Sequence, residues 1–259
     1  MSNELYDEAV RLDQTARKLY DERQLDEAET YQAKALDIVR RLAQQDPETY
    51  NPILAIYLNN SGQIYYSMDR QYEAGVQFKQ AWDIFDNMPD EQYKEHRANA
   101  NIIYNNFSMT SGYWGMKVEE MCRDAREEND YGKARNIFEK AIDITISTGV
   151  GDLMLAYVYL DFAMMLQKNG RYDEAETVYN RSVELLRPKM KDYSDIYQPV
   201  LAQTIAHLAF LKYEIKDYVH SEQLLKEALT LYEGLKHGPY GSYDSYIADI
   251  RKYLDALPK

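Results

Sequence analysis

The sequence predicts an all-α fold built from repeated pairs of antiparallel helices. Three observations lead to this prediction. The 259 residues include only 11 glycines and seven prolines beside abundant helix-forming residues. A short phrase recurs five times along the chain. Small residues within it lie seven apart, which is two helical turns, so they share one face and allow a neighbouring helix to approach closely.

The recurring phrase marks the second helix of each pair. Its five copies read QLDEAETYQAKAL, RQYEAGVQFKQAW, DYGKARNIFEKAI, RYDEAETVYNRSV and DYVHSEQLLKEAL. Their small residues form five pairs: Ala28 and Ala35, Ala74 and Ala81, Ala134 and Ala141, Ala175 and Ser182, and Ser221 and Ala228. We expect these side chains to lie where helices pack against one another.

A further small residue lies twelve positions before the first small residue of the phrase in four of the five copies, and it marks the preceding first helix of the pair. These residues are Ala16, Gly62, Ala163 and Ala209. Apolar residues flank them at helical spacing, as Leu58 and Tyr65 flank Gly62. The turns between paired helices carry short polar stretches such as DRQ, NGR and IKD, which suit a tight connection.

On these repeats the chain resembles the tetratricopeptide repeat family, over roughly residues 9–235. The resemblance implies a right-handed α-solenoid of five helix pairs, with repeats at about 9–45, 55–88, 98–149, 156–189 and 202–235. Successive copies start 46, 60, 41 and 46 residues apart, which exceeds the family unit of about 34 residues. The excess is assigned to longer second helices and to acidic, proline-bearing connections. Repeats of this length are similar to those of kinesin light chains, whose first helices also carry an Asn-Asn pair.

Two further segments complete the predicted array, which we expect to form one superhelix over residues 1–259. Residues 116–129 interrupt the third repeat, and an apolar stripe runs from Val118 to Ala125 at helical spacing. This segment is expected to extend the preceding helix or to form an extra short helix, with a disordered loop as the alternative. Residues 242–257 carry apolar and tyrosine side chains on one face, and are expected to form a helix that caps the last repeat.

Charge and composition narrow the class of partner and the location. The net charge of −13 argues against a nucleic-acid or anionic-membrane partner, because phosphate contacts need Lys and Arg concentrated on one face. The first ten residues lack the basic and apolar regions of a secretion signal, and no stretch approaches about 18 uninterrupted apolar residues. Cys122 is the only cysteine, so no disulfide can form within the chain. The expected location is the cytoplasm.

No catalytic or metal-binding constellation stands out in the sequence. The four histidines have no partner at helical spacing and no companion cysteines. The stretch TGVGDLM, residues 148–154, begins like a dinucleotide fingerprint, but it lacks the third glycine and follows a helix, so we expect a turn. Cys122 is interpreted as a small packing residue rather than a reactive thiol. We therefore expect no enzymatic activity, no cofactor and no metal.

Two asparagine pairs, Asn59 with Asn60 and Asn105 with Asn106, lie where a helix interior is expected. Asparagine is a mediocre helix former because its amide competes for backbone hydrogen bonds, so the pairs suggest another role. In the resembled family the first helices line a concave groove, which implies that these amides face the groove. Amides can pair with the backbone of an extended peptide, and tyrosines add rigid apolar area with a polar tip.

The resemblance implies a peptide-binding groove whose inner wall carries a defined set of side chains. They are Gln14, Arg17, Tyr20, Asn59, Asn60, Gln63, Tyr66, Asn105, Asn106, Met109, Tyr113, Asp161 and His207. The alternative is that the asparagines form hydrogen bonds between adjacent repeats and hold the superhelix together. If they bind a ligand, replacing Asn60 and Asn106 by alanine should leave the melting temperature unchanged and abolish binding.

The leading functional hypothesis is a non-enzymatic, cytoplasmic adaptor or scaffold that binds a peptide or partner segment in this groove. Asp13, Asp21, Asp161 and Glu214 outnumber Arg17 and Lys168 on the predicted inner face, which favours a neutral or basic segment. Two alternatives stay open. One is a peptide-responsive regulatory protein that acts by protein contact. The other is a structural subunit of an oligomeric assembly, whose tyrosine-rich connections form the interface.

Overall fold

The computed structural model describes residues 2–235 and 243–258. These residues form eleven α-helices and one turn of 3₁₀ helix at Arg187–Lys189, with no β-strand among them, so the all-α prediction is confirmed. The helices are α1 (Ser2–Asp21), α2 (Leu25–Gln45), α3 (Pro47–Ser67), α4 (Gln71–Asp86), α5 (Asp90–Glu127), α6 (Tyr131–Thr148), α7 (Asp152–Lys168), α8 (Tyr172–Leu186), α9 (Met190–Glu214), α10 (Tyr218–Gly234) and α11 (Asp244–Asp255).

The chain divides into two compact units. Unit 1 comprises Met1–Lys117 and Ile146–Val150, and unit 2 comprises Val118–Thr145 and Gly151–Lys259. In unit 1, α1 packs on α2, α2 on α3 and α3 on α4. In unit 2, α7 packs on α8, α8 on α9, α9 on α10 and α10 on α11. Each unit is therefore a stack of antiparallel helix pairs, while a single superhelix over the whole chain stays a prediction.

The recurring small residues occupy the contacts between helices. All of the following are completely buried: Ala16, Ala28, Ala35, Ala74, Ala81, Ala141, Ala163, Ala175, Ser182, Ala209, Ser221 and Ala228. At Gly62 an added Cβ would meet the ring of Phe78 at 2.6 Å, so no larger residue fits without displacing that ring. The pattern of small residues in the sequence thus reflects close helix packing.

Four of the turns within helix pairs have the same backbone conformation. Arg23, Asp69 and Lys216 have φ between 59° and 65°, and Gly170 has φ of 72°, so each turn has one residue in the left-handed region. The next N–H in each turn donates to a carbonyl five residues earlier, as Arg70 N does to Tyr65 O at 2.9 Å. This bond satisfies one of the carbonyls left free at the end of a helix.

The proline-bearing connections are more helical than the sequence predicts. Helices α3, α5 and α9 begin at Pro47, Asp90 and Met190. These starts lie inside the stretches 44–52, 87–96 and 187–199, which the sequence assigns to connections. Pro52 lies within α3 and lacks the N–H that would bond to the Glu48 carbonyl. That carbonyl instead accepts a hydrogen bond from Gln92 Nε2 at 2.6 Å. The excess repeat length therefore lies largely in lengthened first helices, which corrects the assignment to connections.

Residues 116–127 continue α5 as part of one uninterrupted helix of 38 residues. Of the three alternatives for this segment, the structure has the extended helix. Val118, Cys122 and Ala125 are buried. Burial, reinforced by the nearby Asp161 carboxylate, raises the pKa of the Cys122 thiol to about 12. A buried thiol that stays protonated agrees with the interpretation of Cys122 as a packing residue.

Helix α11 covers the end of unit 2. Ile250 is buried, and Ile247, Tyr253 and Leu254 pack against a core to which α9 and α10 contribute. This arrangement matches the terminal helix expected over residues 242–257, of which residue 242 lies outside the described part of the chain. The exposed apolar side of the last helix pair is therefore buried by α11.

Candidate partner-binding surfaces

A shallow cleft of about 230 Å³ in unit 1 brings together part of the predicted inner wall. Its lining includes Arg17, Tyr20, Asn60 and Gln63, which come from α1 and α3. Tyr66, a turn further along α3, is exposed. These predicted residues are therefore neighbours on one accessible surface, and ligand binding by them stays a prediction.

The asparagine pairs form hydrogen bonds between successive first helices of unit 1. Asn60 Nδ2 donates to Asp13 Oδ1 at 3.0 Å, and Asn106 Nδ2 donates to Asn59 Oδ1 at 2.8 Å. Both bonds join residues 47 positions apart, one more than the 46 residues that separate Asn59 from Asn105. We refer to these two bonds as the amide ladder.

Burial of the acceptors is the feature that sequence reasoning missed. Asn59 was expected to face the groove, but it is only 6% exposed, because the next repeat packs over it and uses its amide oxygen. Asp13 is 4% exposed and also forms an ion pair with Arg17 Nε at 2.7 Å. A carboxylate this buried needs such donors, because an unpaired buried charge is costly.

Repeat three keeps its predicted wall residues accessible. Asn105, Met109 and Tyr113 are exposed on α5, and Asn106 is partly buried by its ladder bond. Gln14 on α1 is exposed as well. The predicted wall therefore has buried residues, whose hydrogen bonds in the amide ladder join successive repeats, and exposed residues that solvent reaches.

A larger cleft of about 510 Å³ lies in unit 2, between side chains of α7, α9 and α11 and the start of α8. It is lined by Met164, Gln167, Lys168, Tyr172, His207, Phe210, Glu214 and Tyr253. Of the predicted wall, this cleft contains His207. Phe210 could have been found as the residue three positions further on the same helical face, whereas Tyr253 comes from a separate helix that no local pattern connects to α9.

A second cleft of about 370 Å³ adjoins the first one along α7. Met164 and Lys168 line both clefts, and the predicted wall residue Asp161 lines the second. Asp161 forms an ion pair with Arg126 of α5. Burial raises the pKa of Asp161, although the adjacent guanidinium opposes this effect. The two clefts together make a trough along α7, which we call the α7 trough.

His207 is held within a group of aromatic rings. Its imidazole stacks on the Tyr179 ring at a centroid distance of 6.5 Å, and Phe210 meets it edge-on at 5.7 Å. Burial lowers the pKa of His207 to about 4, so the ring is neutral at neutral pH. Tyr179 in turn donates to Gln167 Oε1 at 2.8 Å. His207 thus lines the cleft as a neutral ring.

The described residues offer neither a metal-binding cluster nor a membrane-spanning helix. Over residues 2–235 and 243–258, no three or more His, Cys, Asp or Glu side chains are grouped so that they could hold a metal ion. None of the helices described combines the length and the apolar character needed to cross a membrane.

Stacked pairs of antiparallel helices, with small residues at their contacts, define an all-α helical-repeat protein. Residues 118–187 match the family model described as tetratricopeptide repeat. This match confirms that the chain contains tetratricopeptide repeats, as the sequence analysis predicts. The kinesin-light-chain-like subclass stays a prediction.

Solved structures with some similarity have low sequence identity to this chain. BtubC (BKLC) from P. vanneervenii is 16% identical, with 90% of this chain and 82% of that chain covered and a TM-score of 0.42. A STAND protein with a tetratricopeptide repeat sensor from Pyrococcus horikoshii is 13% identical, with 96% and 36% covered and a TM-score of 0.47. The TPR2AB domain of yeast Sti1 in a complex with pHSP90 is 14% identical, with 95% of this chain and 98% of that chain covered and a TM-score of 0.35. No curated protein sequence matches the chain.

Proposed function

We propose that this chain is a non-enzymatic adaptor or scaffold that binds an extended segment of a partner protein along its first helices. The observation that supports this proposal most directly is the α7 trough. Its two clefts have volumes of about 510 and 370 Å³ and share Met164 and Lys168, so they offer an elongated rather than a compact site. An elongated, open site fits an extended chain better than a small molecule, which is usually enclosed.

The side chains of the α7 trough are available to a partner. Met164 and Tyr172 are each 38% exposed, and Lys168 and Glu214 are exposed. Neither Lys168 nor Glu214 forms an ion pair with another described residue. Apolar side chains with a few unpaired charges are the composition expected of a surface that buries a peptide and fixes its direction.

A selection of peptides tests this function. A random 12-residue peptide library is displayed on phage and selected on the wild-type chain, and the recovered peptides are measured by fluorescence anisotropy. We expect Met164→Arg, which places a bulky cation in the trough, to weaken binding at least about tenfold. The matched control is Val219→Arg, because Val219 is exposed on α10 and does not line the trough.

The outcome is decisive in either direction when both variants keep the helical circular-dichroism spectrum of the wild type. Recovery of no peptide, or peptides bound equally well by Met164→Arg and wild type, would contradict binding in the α7 trough. A peptide-responsive regulator would use the same surface, so this experiment tests that alternative as well.

A second candidate function, a subunit of an oligomeric assembly, is favoured by one face of α5. Ile102, Met109, Tyr113 and Met116 recur at helical spacing and are 38–67% exposed. If they form an interface between copies, light scattering should show an oligomer that persists on dilution to about 1 μM. Met116→Glu should then dissociate it. A monomer at about 100 μM would exclude this candidate.

A further inference from the structure

We propose that the 510 Å³ cleft of unit 2 seats an arginine side chain of the bound segment, between the rings of Tyr172, Phe210 and Tyr253 and the carboxylate of Glu214. This inference rests on the proposed function, because the arginine belongs to the segment that occupies the α7 trough. It adds the chemistry by which one position of that segment is recognised.

The aromatic wall of the cleft is fixed by contacts between rings. Phe210 of α9 and Tyr253 of α11 stack with their centroids 4.3 Å apart and their planes 28° apart. Tyr213 also contacts Tyr253, at a centroid distance of 5.2 Å with the two ring planes 89° apart. Tyr172 adds a ring that is 38% exposed. Aromatic rings attract cations through their faces, and the flat, weakly hydrated guanidinium of arginine is the side chain that stacks best on them.

A carboxylate stands beside this wall. Glu214 follows Phe210 by four positions on α9, so the two side chains lie on the same face of the helix. Glu214 lines the same cleft as Phe210 and Tyr253. Burial is the main cause of the raised pKa values of Tyr179 and Tyr253, and the negative charge of Glu214 adds to both. Asp249 contributes in the same way at Tyr253. Glu214 could accept two hydrogen bonds from a guanidinium.

The other titratable groups that line the cleft do not cancel its preference for an arginine side chain. His207 is neutral, since burial lowers its pKa to about 4. Lys168 is contributed by α7, whereas Glu214 and Tyr253 are contributed by α9 and α11. The cleft therefore has a positive group from α7 and a negative, aromatic wall from α9 and α11, to which α8 adds the Tyr172 ring. An arginine of the segment would lie on the aromatic wall, and a carboxylate or carbonyl of the segment near Lys168.

The first test uses N-acetyl-arginine-amide as the probe and N-acetyl-citrulline-amide as its neutral counterpart of nearly the same shape. Both are titrated into the full chain, and the methyl resonance of Met164, which lines the cleft, is followed by NMR. We expect the arginine probe to bind at least about fivefold more tightly than the citrulline probe. Equal affinities would overturn the proposal.

A charge-neutral variant locates the discrimination. Glu214→Gln should bring the two probes to within about twofold of each other. Glu184→Gln makes the same change at an exposed glutamate of α8 that does not line the cleft, and it should keep the full preference. A preference that survives in Glu214→Gln would overturn the proposal. Both glutamates are exposed, so the two variants are expected to fold, and thermal melts check this.

The selected peptides separate this inference from the proposed function. Trough-binding peptides that carry an arginine, and lose at least about fivefold in affinity when it is replaced by citrulline, support both. Trough-binding peptides that show no such loss overturn the arginine site and leave the adaptor function standing. If the library yields no peptide that binds, both are overturned.

Discussion

Replacing Asn106 by alanine removes the donor of one rung of the amide ladder. The bond from Asn106 Nδ2 to Asn59 Oδ1 is 2.8 Å long, and Asn59 is 6% exposed, so water cannot readily replace the lost donor. Leaving a buried acceptor unpaired costs about 1–3 kcal/mol, while alanine improves the helix propensity of α5 by about 0.5 kcal/mol. We therefore expect Asn106→Ala to lower the free energy of unfolding by about 0.5–2.5 kcal/mol.

Asn60→Ala tests the second rung and should cost somewhat more, because its acceptor is the carboxylate of Asp13. Hydrogen bonds to charged groups contribute about 1.5–3 kcal/mol, and here the remaining ion pair from Arg17 retains part of the stabilisation. From the sequence alone, the expectation for these two substitutions was an unchanged melting temperature. The geometry of the ladder replaces that expectation.

Tryptophan fluorescence during urea unfolding is the assay for both variants. The two tryptophans of the chain, Trp82 and Trp114, both belong to unit 1, so their signal reports on the unit that contains the ladder. The matched control is Asn105→Ala, which makes the same change on the same helix at an exposed position. The control should gain about 0.5 kcal/mol from helix propensity.

The comparison between neighbours decides the matter. If Asn106→Ala unfolds at the same urea concentration as Asn105→Ala, the ladder bond contributes nothing and the reasoning fails. The asparagines would then be free for ligand binding, as the first interpretation of the sequence has it.

Three further outcomes follow from packing and burial. Gly62→Ala should destabilise unit 1 by about 1–3 kcal/mol in the same urea assay, because its Cβ would meet the Phe78 ring at 2.6 Å. The control Gly112→Ala has open space around its Cβ and should raise the free energy of unfolding by about 1 kcal/mol through its helix propensity. His207 has a pKa of about 4 in the folded chain, below its value in the unfolded chain, so the unfolded state takes up more protons as the pH falls. The free energy of unfolding should therefore drop by about 2 kcal/mol between pH 7 and pH 5, and by less in His207→Gln. A pKa near 6.5 for His207, measured by NMR, would contradict this prediction. The Cys122 thiol, whose pKa is raised to about 12, should not react with a thiol reagent at pH 8 in the folded chain and should react once urea is added. Prompt labelling without urea would show that the thiol is not buried.

The helical repeat could be predicted because its cause is local and periodic. A small residue is required wherever two helix axes approach closely, and such residues recur at intervals that a single sequence displays. Ala28, Ala35, Ala74 and Ala81 show this directly, since all four are completely buried. The same holds for α11, whose apolar face was visible from the sequence.

The burial of Asn59 could not be predicted in this way. The apolar stripe of one helix indicates its own buried side, but it does not reveal that the following repeat covers a polar position as well. The helix starts were also missed, because proline usually marks a boundary. Pro52 is tolerated inside α3 since Gln92, 40 residues further on, supplies the donor that the carbonyl of Glu48 lacks. The unit 2 cleft, which combines side chains of four helices, could not be predicted for the same reason, because only packing brings Phe210 and Tyr253 together.

The rungs of the ladder have a consequence for how such a chain can change length. Asp13 with Asn60, Asn59 with Asn106, and the hydroxyls of Tyr20 and Ser67, which lie 2.9 Å apart, all connect positions 47 residues apart. Inserting a second copy of residues 47–92, a block of 46 residues, would keep partners of the same kind 47 positions apart, whereas gaining or losing a few residues between partners would put each donor opposite the wrong acceptor. We therefore expect unit 1 to change length by whole repeats, because the hydrogen bonds between successive first helices do not form when only a few residues are gained or lost.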